Sequence, residues 1–160
     1  MLIYMNHERT VVLIKPDGLQ RSLVGEIVHR FERKGLKIVG LKMMKLSDAL
    51  VEDHYSHHKD QPFFPRLKRF MQEAPVIAMV LEGKDSIAMV RTMCGDTAGA
   101  KALPGTIRGD FSIVKGANIV HASDSTENAD IEVRRFFATE EIFDYEHGAF
   151  RHVYSEEERG

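Results

Sequence analysis

The apolar residues of this chain change period several times, and each change marks an element. Val11 to Ile14 is an unbroken apolar run closed by Pro16-Asp17-Gly18, which predicts a buried strand and then a turn. Val24, Ile27, Val28 and Phe31 recur at i, i+3, i+4, i+7, the stripe of an amphipathic helix, and Gly35 supplies its stop. Leu36 to Leu46 scatters lysines among apolar residues and reads as a second strand. Ser47 and Asp48 can cap a helix with Val51, His54, Tyr55 and His58 on one face. Beyond a Pro62–Pro65 turn, Leu67, Phe70, Met71 and Ala74 form another helical stripe. Val76 to Leu81 is continuous enough for a central strand, and Asp85 can cap a helix carrying Ile87, Val90, Arg91 and Cys94. Gly95 to Gly116 is rich in Gly and Pro and has little period. Asn118 to Ala122 reads as a short strand, and Ser125 opens a helix whose stripe holds Ala129, Glu132, Val133 and Phe136.

The order β-α-β-α-β-α-β, with one helical region split in two, predicts an α+β sandwich with the helices on one face of the sheet. The first choice of topology is ferredoxin-like βαββαβ, with a long loop before the last strand and a C-terminal extension. The length of 160 residues fits a single domain, 1–160, able to bury a real core. A formal charge of −2 argues against a strongly basic nucleic-acid binder. No apolar run approaches the ~18 residues of a membrane helix, and Met1 to Arg9 is too polar for a secretory signal. Cys94 is the only cysteine, so no internal disulfide or Cys-cluster zinc site is possible, and a reducing compartment fits. The tail from Glu156 to Arg159 reads as a solvated, frayed charge run.

Candidate chemistry comes from polar residues placed where the pattern calls for apolar ones. Arg91 and Glu132 sit on helical stripes, Tyr55 and His58 share a face, and Lys15 continues the alternation of Val11 and Leu13. Charges in such places are costly unless paired. Each also has an ordinary explanation: Arg91 can snorkel to water, Glu132 can pair with Arg135, and Tyr55 can be core with a surface hydroxyl. His121 is the sharpest candidate, because it follows an apolar run and precedes small polar residues and a helix start. In a regular strand Asn118 and His121 point to opposite faces, so a site using both requires a bend between them. The loop Pro104-Gly105-Thr106-Ile107-Arg108-Gly109-Asp110 sets an arginine between glycines, a pattern able to grip an anion. The usual phosphate loops, G-x-x-x-x-G-K-[ST] and G-x-G-x-x-G, and the kinase H-R-D set are missing. His54 and His58, at helical i, i+4 spacing beside Asp53 and His57, leave a metal-binding reading open.

Taken together, several segments resemble the nucleoside diphosphate kinase family. They are Glu8-Arg9-Thr10, Ile14-Lys15-Pro16-Asp17-Gly18, Gly25-Glu26-Ile27, His54-Tyr55, Pro62-Phe63-Phe64, the Pro104–Asp110 loop, and Asn118-Ile119-Val120-His121-Ala122-Ser123-Asp124-Ser125. They occur in the family's order from about Glu8 to Tyr154, and Asn-x-x-His-x-Ser-Asp is the most specific of them. The resemblance implies the ferredoxin-like fold. It also implies transfer of the γ-phosphate of a nucleoside triphosphate to a nucleoside diphosphate, by a ping-pong mechanism through a phosphohistidine. It makes His121 the nucleophile through Nδ1, with Glu132 and Ser123 completing a hydrogen-bond network on the other ring nitrogen. Imidazole is largely neutral at pH 7, which suits a nucleophile with no strong base. Lys15, Tyr55 and Arg108 match residues around the γ-phosphate. Arg91 and Thr97 match those at the β-phosphate, with His58 nearby. Lys15 and Asn118 match the ribose contacts. Phe63 matches the aromatic on which the base stacks, with Leu67 beside it.

By the same resemblance Mg²⁺ accompanies the nucleotide, held mainly by its phosphates, and no dedicated protein metal ligands are expected. The partners implied are ATP and other nucleoside di- and triphosphates, and further copies of the chain, as a hexamer built from dimers or a tetramer. A cytoplasmic location follows, without membrane or obligatory nucleic acid. Three departures from the family pattern, Gln61, Thr97-Ala98-Gly99-Ala100 and Lys115, bear on loop geometry and base preference. The competing reading is a non-enzymatic nucleotide or nucleic-acid binding module that uses Phe63 and Arg108 as its surface.

Overall fold

The computed structural model describes residues 7–158. Strands β1 (His7–Ile14), β2 (Lys37–Met44), β3 (Val76–Lys84) and β4 (Val120–Ala122) form one sheet in the order β2-β3-β1-β4. All three pairings are antiparallel. The long β1–β3 ladder runs from His7 opposite Lys84 to Ile14 opposite Ile77 and forms the centre of the sheet. Helices α1 (Pro16–Gln20) and α2 (Val24–Lys34) follow β1, and α3 (Asp48–His54) and α4 (Phe64–Gln72) follow β2. Helix α5 (Ser86–Cys94) follows β3, with α6 (Ile107–Phe111) before β4. The long α7 (Thr126–Phe136) and the short α8 (Phe150–Val153) come after β4. Among the described residues no helix is long and apolar enough to cross a membrane.

The helices cover both faces of the sheet, not one. Val12, Ile14, Ile77, Met79 and Leu81 pack against Ile27 and Phe31 of α2 and Val90 and Cys94 of α5. Val11, Leu13, Ala78 and Val80 point the other way, against Val51 of α3, Met71 of α4 and Phe136 of α7. The reason lies in the strands. Val11–Ile14 and Val76–Leu81 have no polar alternation, and a strand without alternation needs cover on both sides. Both central strands are accordingly fully buried through these runs, apart from a small part of Ile77.

Several local expectations are corrected by specific contacts. Pro16-Asp17-Gly18 is not an open turn but the start of α1, where Pro at the first helical position lacks only an N–H that no partner needed. Asp85 does not cap α5; it is left-handed, at φ 50°. Glu8 takes over instead, accepting from Ile87 N–H at 3.3 Å, while its carbonyl accepts from Ser86 Oγ. Ser47 and Ser125 do cap α3 and α7, accepting from Leu50 and Asn128 N–H. Helix α3 ends at His54, and a 3-10 turn at Ser56–His58 carries His58 off its face. Ala74 lies beyond the end of α4. Gly95–Gly116 is not structureless: it holds a 3-10 turn at Gly99–Lys101 and α6, which Thr106 caps. In the tail, Glu158 pairs with Lys84 rather than fraying, and Arg159 lies outside the described residues.

Gly109 shows how tightly the α6 segment is folded. A Cβ there would meet the Leu103 carbonyl oxygen at 2.0 Å, which only a backbone shift could relieve. Gly109→Ala is expected to lower unfolding stability by about 1–3 kcal/mol, the usual cost of overpacking. Urea denaturation checks this, and an unchanged midpoint would contradict the packing.

Candidate active site

Antiparallel pairing puts His121 opposite Leu13, so its side chain emerges on the face covered by α3, α4 and α7. Lys15 leaves the end of β1 on the same alternation and is 8% exposed. The bend that a common site for Asn118 and His121 requires is present. Ile119 between them has φ 71°, a left-handed backbone that β-branched residues avoid at a cost of order 1–3 kcal/mol. Three things hold it there. Its side chain is fully buried, its N–H donates to Asp17 Oδ2 at 3.0 Å, and its carbonyl accepts from Lys15 N–H at 2.8 Å. With the kink, Asn118 Oδ1 meets Lys15 Nζ at 2.6 Å, and Asn118 Nδ2 donates to the Thr97 carbonyl at 2.9 Å.

Helix α7 brings the buried Glu132 back against β4. Its Oε1 lies 2.9 Å from His121 Nε2, and its Oε2 accepts from Ser123 Oγ at 2.6 Å. Ser123 is anchored in turn by Val11 N–H, which donates to its Oγ at 3.1 Å. An ionised carboxylate has only acceptors, so the Nε2 edge of His121 carries the proton and Nδ1 keeps a free lone pair. Glu132 does not pair with Arg135, which binds Asp53 instead. Against the other side of the His121 ring lies His54, perpendicular at 86° with centroids 4.5 Å apart. Burial first, then the neighbouring His121, pull His54 down to about 2, so it is a neutral packing ring.

These groups border one cleft of about 1190 Å³. Lys15, Tyr55, His58, Phe63, Leu67, Arg91, Thr97, Arg108, Asn118, His121 and Glu132 all line it. Ser123 does not; it acts from behind, through Glu132. Burial, and secondarily Arg108, draw the Lys15 ammonium down to about 8. Burial and then Glu132 push the Tyr55 phenol up, so it stays protonated. Its hydroxyl is buried without a hydrogen-bond partner among the described residues. Phe63, 41% exposed at the start of α4, presents its ring at the mouth, edge-on to His58 with centroids 5.2 Å apart.

Two expected residues behave differently from their sequence reading. Arg91 is exposed at the cleft rim, not buried on the α5 stripe. Arg108 is buried, and its guanidinium donates to the carbonyls of Gly95, Asn118 and Val120 at 2.8, 3.2 and 2.7 Å. It therefore ties the α6 segment to β4 and cannot form an exposed binding surface with Phe63. The His54/His58 metal pair is also undone, since α3 ends between them. Among the described residues the group with metal-ligand spacing is His54, His121 and Glu132, with ligand atoms within 4.8 Å of one another. The sequence pattern singled out His54 and Asp53 only for a metal site and Arg135 only as a partner for Glu132, not as neighbours of His121. Their relation to His121 exists only in three dimensions.

Residues 8–142 match the family model for nucleoside diphosphate kinase. The nucleoside diphosphate kinase of Parabacteroides distasonis is 52% identical over 151 residues, covering 94% of this chain and 99% of its own. That of Staphylothermus marinus is 56% identical over 141 residues, covering 88% and 100%. Among solved structures, a halophilic nucleoside diphosphate kinase from Halobacterium salinarum in complex with CDP superposes with a TM-score of 0.91 at 44% identity, over 94% of this chain and 100% of that one. With a family match over most of its length, relatives above half identity and the same fold, the chain belongs to the nucleoside diphosphate kinase family.

Proposed function

We propose that this enzyme moves the γ-phosphate of a nucleoside triphosphate, typically ATP, to a nucleoside diphosphate through a phosphohistidine at His121, and so maintains nucleoside triphosphate pools. Phosphoryl transfer between nucleotides follows from family membership; the residue roles are those the resemblance implies, and the geometry of the cleft supports them. One observation carries them. The ring edge bearing Nε2 is held by Glu132, while the Nδ1 edge is left free in a cleft lined by cations and a protonated phenol.

The Nδ1 lone pair attacks the γ-phosphorus, the bond to the bridging β-phosphate oxygen breaks, and the diphosphate leaves. An acceptor diphosphate then enters the same cleft, and its terminal oxygen takes the phosphoryl group from Nδ1. The transition state is loose, so the protein contributes position and charge rather than a strong base. Glu132, fixed by Ser123, stabilises positive charge on the ring. Lys15, the Tyr55 hydroxyl and the remaining N–H groups of Arg108 face the transferred group. Arg91 and Thr97, with His58, face the β-phosphate. Asn118 and Lys15 hold the ribose, and Phe63 with Leu67 takes the base by stacking, which tolerates any base.

Mg²⁺, which the resemblance implies, would be carried by the nucleotide and would supply charge neutralisation at its phosphates, with no protein carboxylate cage needed to hold it. The His54, His121 and Glu132 set, rich in imidazole, suits zinc rather than magnesium and is not its site. The enzyme works as a single domain and as a homo-oligomer, a hexamer built from dimers or a tetramer. Exposed Leu41 and Met43 on edge strand β2, and exposed Leu103, Ile113 and Val114 before β4, support assembly, because apolar surface of this kind marks protein contacts. The cytoplasm is its compartment.

Incubation with γ-labelled ATP is expected to label one histidine in an acid-labile, base-stable form, and GDP should remove the label. His121→Ala should abolish labelling and exchange while nucleotide binding survives; near wild-type turnover by this variant would end the assignment. Lys15 gives a pH test. In the free protein it is charged below about 8 and neutral above, so kcat/KM should fall as pH rises through about 8. Lys15→Arg, which keeps its charge, should lose that limb. A flat wild-type profile between pH 7 and 9 would show that the Lys15 charge does not govern capture.

A further inference from the structure

The cleft is graded from a buried polar inner end to an open mouth. Lys15 and Asn118, joined at 2.6 Å, are 8% and 2% exposed, whereas Phe63 at the mouth is 41% exposed. With the ribose held at the inner end and the base on Phe63, the base edge farthest from the sugar points outward. That edge carries the exocyclic group, keto or amino, at position 6 of a purine or position 4 of a pyrimidine.

The segment Val114-Lys115-Gly116-Ala117 also borders this cleft. Of these four, only Lys115 has a side chain able to hydrogen-bond. It is exposed, and among the described residues its ammonium has no hydrogen-bond or ion-pair partner. Its charge is felt by His58, which burial first, then His57, then Lys115 hold below the usual histidine range, and His58 stands 5.2 Å from the Phe63 ring. Lys115 shares one cleft with His58 and the Phe63 ring. Arg66 also borders the cleft, but from α4, the wall that carries Phe63. A lysine can lay its methylenes along the free face of a stacked base and bring its ammonium to the rim.

We propose that Lys115 selects among nucleotides by this exocyclic group. An ammonium has three donors and no acceptor, so it favours bases with a keto oxygen at the outer edge, guanine, hypoxanthine, uracil and thymine. It disfavours adenine and cytosine, whose amino groups also donate. This rests on the proposed use of the cleft and adds a preference to the tolerance that stacking alone provides.

The test uses the phosphoenzyme and matched acceptors differing at that edge: inosine diphosphate against ADP, and UDP against CDP. Ring size and stacking are then nearly constant within each pair. Second-order rate constants for loss of the label are measured for the intact enzyme and for Lys115→Met and Lys115→Arg. The keto partner is expected to react faster in both pairs. Lys115→Met should shrink each keto-to-amino ratio by about fivefold, a modest value for a charge-assisted bond at an exposed site. Lys115→Arg should restore most of it. Ratios unchanged in Lys115→Met, or equal slowing of all four acceptors as for a phosphate contact, would overturn the proposal. Failure of the intact enzyme to form any labelled histidine would instead overturn the function on which it rests.

Discussion

A carboxylate buried under the sheet governs the site. Glu132 is almost wholly removed from water, which is costly for a charged group, and its two oxygens are engaged by His121 and Ser123. That pairing decides which ring nitrogen bears the proton and therefore which would accept phosphorus in the proposed mechanism. Ser123 hangs from the backbone of β1, so the orientation of the imidazole is tied to an inner strand of the sheet, at a point where that strand is fully buried. His54 closes the other side as a neutral ring and adds no competing charge. A flexible histidine on a loop would carry the same chemical group without this fixed direction.

The second constraint is the kink at Ile119. A straight strand would send Asn118 to the opposite layer, away from His121, and so separate the two groups that the proposed mechanism gives to the ribose and to the phosphorus. The unfavourable backbone there is held by Asp17, by the Lys15 amide and by burial, and Arg108 grips the carbonyls on both sides of it, at Asn118 and Val120. Residues that face the phosphates in the proposed mechanism thus also maintain the backbone shape that brings them together. Arg108 has both tasks, which explains a guanidinium so deeply placed beside a cleft for anions.

Much of this was legible in the sequence, for identifiable reasons. Apolar period located all four strands and the stripes of the main helices, because those residues do make the core. The same period misjudged the number of covered faces; the unalternating runs Val11–Ile14 and Val76–Leu81 already carried that information. The need for a bend between Asn118 and His121 could be stated from strand geometry alone, although not which residue would supply it. Arg91 misled because its neighbours on α5 are apolar while its own side chain turns out to the rim. Asp85 misled because a capping residue type says nothing of its backbone, and Glu8, distant in sequence, does the work. The Gly95–Gly116 segment looked formless because its order comes from short turns, the Thr106 cap and the bonds of Arg108 to backbone carbonyls, none of which leaves an apolar period. Site membership was readable mostly through the family's motifs, whereas His54, Asp53 and Arg135 reach the site only through tertiary packing.

The central claim is that the resting enzyme holds His121 with its proton on Nε2 and its Nδ1 bare. Long-range proton–nitrogen correlation NMR on protein labelled with ¹⁵N-histidine, near pH 7, reads this directly, with His121→Gln assigning the signal. The account predicts a pyrrole-like Nε2 and a pyridine-like Nδ1 in the free enzyme, and phosphorus on Nδ1 after ATP is added. A proton resident on Nδ1, or phosphorus on Nε2, would contradict it.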